Sequence, residues 1–172
     1  MIEIRLNRGL YEAMLTSLRR PHSFAYERVG FAVARRVEAS TGSSLIIVSE
    51  FIPVADEHYI DDPNVGARIG TEALTIASRR IYHGRSRAEG IFHVHEHGHT
   101  GEPILSRTDA RELPSLIPGF KSVGPTGPHG LIIWSLDNAS AWVWLPAEGK
   151  PLQVDKISII GAPISIVQRR SS

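Results

Sequence analysis

Four of the eight histidines in this chain stand at alternate positions: His93, His95, His97 and His99. In an extended strand, residues two apart project from one face, with Cα atoms roughly 7 Å apart. Two imidazoles so placed can converge on one metal ion. A carboxylate from the next element could complete a three-ligand site with an open position. That next element begins at Ser106-Arg-Thr-Asp109, whose Ser-x-x-acid form is a capping box at the start of a helix.

The chain has no cysteine. Disulfides, zinc ribbons, iron–sulfur clusters and thiol catalysis are therefore excluded, and any metal must be held by His, Asp or Glu. Its 172 residues, 42% hydrophobic and 22% charged, suit one globular domain over 1–172 with a sizeable core. A net charge of +1 gives no electrostatic argument for nucleic acid or an anionic membrane surface. No apolar run approaches the ~18 residues of a membrane span. The opening MIEIRLNRGL has no secretory pattern. The expectation is a soluble cytoplasmic protein that binds neither nucleic acid nor membrane.

The elements that must position these residues follow from periodicity. Ile2–Leu6 alternates as a strand, and Asn7 can cap a helix to about Arg19 with Leu10, Met14, Leu15 and Leu18 on its buried stripe. Phe31–Glu38 and Ser44–Val54 form a hairpin across Thr41-Gly42-Ser43. Ala55–Val65 reads as an exposed loop. Gly66 to about His83 has helical spacing at Ile69, Ala73, Ile76, Ala77 and Ile81, with Gly84 as its stop. The histidine strand starts near Gly90. A short helix then runs from Ser106 until Pro114 ends or bends it, and Gly119–Gly130 is loop-rich. Leu131–Leu136 and Ala141–Leu145 form a second hairpin across Asp137-Asn138, and Ile157–Val167 supplies one or two short strands. The spacing predicts an α+β (α/β) fold, a mixed sheet flanked by helices in the order β-α-β-β-α-β-α-β-β-β.

Taken together, Glu27-Arg-Val-Gly30-Phe31, His95-Glu96-His97 and Ser106-Arg-Thr-Asp109 resemble the JAMM (MPN, Mov34, prokaryotic JAB-type) metalloprotease family. That family has a Glu on an early strand, then His-x-His, then Ser-x-x-Asp. The likeness in element order spans roughly residues 24–145. Two departures stand out: eight residues separate His97 from Ser106 where the family has about seven, and Gly98 occupies the family's usual proline position. Alternative registers are open. His93 with His95 follows the Gly90-Ile-Phe-His93 lead-in but leaves ten residues before Ser106, and His97 with His99 leaves six.

The resemblance implies an MPN/JAMM-like (cytidine-deaminase-like) fold that holds Zn²⁺ with His95, His97 and Asp109. It implies Glu27 as general base and Ser106 as hydrogen-bond donor to the oxyanion. It implies cleavage of a peptide or isopeptide bond after the tail of a ubiquitin-like protein. The compact form is similar to the bacterial branch, which occurs beside activating and conjugating enzymes, including antiviral systems. An extended tail ending in small residues would add to a sheet edge by the metal. His93 is a candidate for orienting a ligand, and His99 for a loop residue near the cleft. The tryptophans Trp134, Trp142 and Trp144 are expected to pack, and Arg79, Arg80, Arg85 and Arg87 to form a solvated helix end or to dock an acidic partner. Two rivals remain. A cupin would use His95, His97, Glu102 and His129, and a metal-free MPN scaffold would use none.

Overall fold

The computed structural model describes residues 1–23, 25–38, 42–146 and 148–168. Strand β1 (Ile2–Asn7) runs directly into helix α1 (Arg8–Leu18), and the Asn7 side chain accepts a hydrogen bond from the Leu10 amide at 2.8 Å. The α1 stripe Met14, Leu15 and Leu18 is buried, with Leu10 half-buried beside it. Strands β2 (Val29–Glu38) and β3 (Ser44–Pro53) pair antiparallel. Of their expected turn, Thr41 lies outside the described residues. Gly42 has a φ of +73°, where glycine carries no Cβ penalty.

Helix α2 (Thr71–Gly84), strand β4 (Glu89–Glu96) and helix α3 (Arg107–Val123) follow. The β5 (His129–Trp134) and β6 (Ala139–Trp144) hairpin comes next, then the short strands β7 (Leu152–Gln153), β8 (Lys156–Ile160) and β9 (Ser165–Gln168). The strands make one mixed, curled nine-stranded sheet in the order β7-β6-β5-β4-β2-β3-β1-β8-β9. Strand β1 runs parallel to β3 and β8, and β4 runs parallel to β5 through the α3 crossover.

Two cores lie on opposite faces of the sheet. One packs α1 on Ile4, Ala32, Ile46, Phe92, Val94 and Ile132. The other packs α2 and α3 on Val29, Phe31, Ile91, Leu131 and Ile133. Period-two alternation along β4 assigns Phe92 and Val94 to the α1 face, so Ile91, His93 and His95 belong to the α2–α3 face. Among the described residues, no helix is long and apolar enough to cross a membrane.

Several boundaries differ from the sequence reading. Helix α2 starts at Thr71 rather than Gly66. The Gly66 carbonyl accepts hydrogen bonds from the Tyr26 and Glu27 amides, and Ile69 bridges Tyr59, so this stretch serves the β2 entrance instead. Helix α3 does not end at Pro114 but continues through Pro114 and Pro118 to Val123. Leu113, Ile117 and Phe120 form one buried stripe, and this tertiary contact offsets the backbone bonds that the prolines remove. The loop-rich stretch accordingly shrinks to residues 124–128. Gly84 ends α2 with an ordinary negative φ, and the left-handed residue is Ala88, at φ 53°. Strand β4 is paired on both sides, by β2 and β5, so no sheet edge runs beside the histidines.

Candidate metal centre

The histidine strand is fixed from both sides and from its far face. Glu96, between His95 and His97, points toward α1, where Arg19 donates to both its carboxylate oxygens at 2.6–2.9 Å. His97 lies one residue past β4, yet its amide donates to the Trp134 carbonyl at 2.8 Å. That bond carries the β4–β5 pairing one step further and keeps the His97 side chain in phase with His95.

Helix α3 begins with the capping box. Ser106 Oγ accepts from the Asp109 amide at 3.1 Å, and Asp109 Oδ2 accepts from the Ser106 amide at 2.9 Å. The box turns Asp109 toward the histidines, with its Oδ1 3.5 Å from His95 Nε2 and its Oδ2 4.0 Å from His97 Nε2. The two Nε2 atoms face each other at 3.2 Å. Ligands about 2.0–2.1 Å from a tetrahedral metal lie about 3.3 Å apart, so the two histidines stand at the edge length of such a site.

Glu27 reaches the same point from the segment before β2. One ligand atom each from Glu27, His95 and His97 lie within 4.8 Å of one another, a group that could hold a metal ion. Asp109 is the nearer carboxylate to His95, so two overlapping three-donor sets share the histidine pair. The donor chemistry fits a divalent cation: two imidazole nitrogens and two carboxylates converge, and among the described residues no lysine or arginine forms an ion pair with either carboxylate. His95 Nδ1 is buried with no hydrogen-bond partner, so the outer ring nitrogen has no carboxylate or carbonyl to orient it.

The two carboxylates differ electrostatically. Burial alone would raise the Asp109 carboxyl, but His95 and the Ser106 hydroxyl and amide hold it well below the usual carboxylate range. Burial pushes the Glu27 carboxyl up, with His95 opposing and Asp109 adding to the rise. His97 is pushed down by burial and by His95, which keeps its ring neutral and its lone pair available.

Three residues that position Glu27 carried no sequence signal of their own. The Glu27 amide donates to the Gly66 carbonyl at 3.0 Å, and a Cβ at Gly66 would fall 2.8 Å from Glu27 Oε2. Buried Arg28 donates to the carbonyls of Arg20 and Pro21 and to Asp56 at 2.6–2.9 Å. The Tyr59 hydroxyl accepts from the Val29 amide at 2.8 Å and donates to the Val29 carbonyl at 3.3 Å. The loop following β3 thus grips the β2 entrance on both sides of Glu27.

The other candidates fall elsewhere. Both ring nitrogens of buried His129 are engaged: Nδ1 accepts from the Ile91 amide at 3.2 Å and Nε2 donates to the Gly124 carbonyl at 2.7 Å. Burial pushes its ring toward the neutral form against that carbonyl. Glu102 is exposed and is not part of the Glu27–His95–His97 group. The cupin ligand set is therefore not assembled. His99 is exposed beyond the strand, with its ring 5.6 Å from that of His97. His93 lines a cleft beside the site, 5.4 Å from His95 between ring centres. Trp134 is buried in the α1 core, and Trp142 and Trp144 pack half-buried on the other. Arg80 and Arg87 are engaged by Glu50 and Glu89, and Arg85 stacks 3.5 Å over the Tyr82 ring, leaving exposed Arg79 as the solvated member.

No protein-family model matches this chain, and no curated protein matches it.

Proposed function

We propose that the chain is a zinc-dependent peptidase of the JAMM type, cleaving a peptide or isopeptide bond after the tail of a ubiquitin-like protein. The observation that carries this reading is the convergence of His95, His97 and Asp109 at 3.2–4.0 Å, with Glu27 beside them. The resemblance in motif order supplies the substrate class. His95, His97 and Asp109 would hold the zinc, leaving Glu27 as the fourth group. The division follows from proximity to the histidines and from charge, since Asp109 is the carboxylate kept ionised by its surroundings.

Zinc bound here supplies a Lewis acid and lowers the pKa of a coordinated water. Glu27, half-buried with its amide held by the Gly66 carbonyl, would take a proton from the attacking water at its carboxylate and pass it to the leaving amine. The Ser106 oxygen already accepts from the Asp109 amide, so its own O–H remains to donate to a developing oxyanion. All of these groups except His97 line one cleft of about 830 Å³, a volume within the usual range for substrate sites.

The test is metal analysis beside turnover of a ubiquitin-like-tail amide. The parent protein should carry one zinc per chain, and Glu27→Gln should keep it while losing about 10²–10⁴ in rate. Loss of zinc in Glu27→Gln, or turnover that survives it, refutes the assignment.

A further inference from the structure

The four alternate histidines form one row of rings, and the zinc assignment uses only the middle two. Ring centres are 5.4 Å apart from His93 to His95, 5.0 Å from His95 to His97 and 5.6 Å from His97 to His99. Burial falls toward the outer end: His95 is 2% exposed, His97 is half-buried and His99 is exposed. The outer pair nearly repeats the inner one, with ring planes tilted by 45° against 47°.

His99 is held as a metal-binding imidazole would be. Its Nδ1 lies 2.9 Å from the Thr100 carbonyl, which can only accept, so in the neutral ring Nδ1 carries the proton and Nε2 the lone pair. A carbonyl on the far ring nitrogen is the usual support of a ligating histidine, and His95 lacks it. The backbone is fixed as well. The Leu136 amide donates to the His99 carbonyl at 2.9 Å, and the Gly101 amide donates to Asp137 at 2.6 Å. His99 is thus pinned to the β5–β6 turn. Its partner His97 is the one proposed zinc-binding group that does not line the cleft. The row therefore leads from solvent to the inner donors without passing through the cleft.

We infer that His97 and His99 form an entry site for zinc, from which the ion passes to His95, His97 and Asp109. The transfer is a ligand exchange. The bond from His99 Nε2 breaks as bonds from His95 Nε2 and an Asp109 oxygen form, water is displaced, and His97 stays bound throughout. No proton moves and nothing is oxidised or reduced. Two neutral imidazoles bind a divalent ion more weakly than two imidazoles with a carboxylate, so the ion moves inward downhill. An entry site speeds arrival and departure alike, and so leaves the equilibrium affinity unchanged. The inference rests on the zinc assignment within the peptidase reading, and not on hydrolysis or on the substrate.

The test compares metal arrival and release in the parent protein and in His99→Gln. Arrival is followed with Co²⁺, whose visible absorption reports the tetrahedral inner site, and release by a chromophoric chelator added to the zinc-loaded protein. His99→Gln should slow both by about 10-fold or more, the scale of losing support at a metal ligand, with the dissociation constant within about 2-fold of the parent. His83→Gln, an exposed histidine on α2 outside the row, should leave both rates unchanged. In the double variant His95→Ala/Asp109→Ala, which dismantles the inner site, zinc should still shift the His97 and His99 ring signals together in NMR. Equal rates in His99→Gln and the parent, equal slowing by His83→Gln, or no His99 shift in the double variant overturns the entry site and leaves the zinc assignment standing. A dissociation constant raised about 10-fold or more in His99→Gln makes His99 a permanent ligand and overturns it too. A parent protein that takes up no zinc refutes the metal centre and the entry site together. Loading that depends on His99 in a protein that does not hydrolyse refutes the peptidase alone.

Discussion

Gly66→Ala separates the placement of Glu27 from the stability of the fold and from metal binding. The added Cβ would lie 2.8 Å from Glu27 Oε2 and 2.9 Å from Cδ, about 0.6 Å inside ordinary contact. Gly66 has no positive φ, so alanine fits its backbone without strain. The atoms that must yield are the far end of a flexible side chain, which can rotate away. Folding stability should therefore stay within about 1 kcal/mol of the parent, with the reduced entropy of the unfolded chain offsetting the contact. The Glu27 carboxylate, however, is displaced by about half an ångström from the point where it meets the histidines. Misplacing a reacting group by about 1 Å can cost about 100-fold, so a 10- to 100-fold fall in kcat is expected. Three measurements on one preparation decide it: zinc by elemental analysis, melting temperature, and kcat on a tail amide. Full turnover with zinc retained would refute the reasoning. Loss of zinc would make Glu27 a ligand and move the proton-transfer role elsewhere.

Further outcomes follow from the same geometry. His95→Ala and Asp109→Ala should each weaken zinc by more than about 100-fold, whereas His99→Ala leaves it unchanged in equilibrium dialysis. His129→Leu removes the partner of the Ile91 amide and one of the two donors to the Gly124 carbonyl, and should destabilise by about 1–3 kcal/mol in urea, with zinc content unaffected. Acid stability should depend on Glu3, whose pKa is lowered from 4.5 to about 2 by Arg5, Ser158 and Lys156. Because the folded value is depressed, this stability is full above pH 4.5 and is lost as pH falls toward 2. It amounts to about 3 kcal/mol at most, and Glu3→Gln should flatten the acid limb of a denaturant series between those limits.

Much of the site was legible because its parts are local. Alternating histidines and a capping box each report their own geometry over a few residues, and both form where the pattern places them. The order of elements was legible through β6 for the same reason, since turn residues and periodicity mark those strands and helices, whereas the two-residue strand β7 is too short to carry a period. What escaped was set by distant contacts. Helix α3 runs through two prolines because its stripe meets the sheet, information held in Phe31 and Leu131 rather than in the helix. The start of α2 was misplaced because Gly66–Gly70 has helical spacing but its backbone is committed to Tyr26, Glu27 and Tyr59. The sequence chose His95 with His97 on loop length alone; the bond from the His97 amide to the Trp134 carbonyl, which keeps His97 in the strand's phase, is something no spacing rule encodes.

The groups proposed to hold zinc come from the end of β4 and the first turn of α3, with Glu27 beside them from the entrance to β2. A cation bound to His95, His97 and Asp109 would act as a removable cross-link between β4 and α3, much as a disulfide does, in a protein with no cysteine to make one. Its strength would be set by free zinc rather than by redox conditions, growing as RT ln(1 + [Zn]/Kd). On the proposed reading, zinc scarcity would therefore shorten the lifetime of this protein as well as silence it. Abundance and activity would fall together, through the same ion.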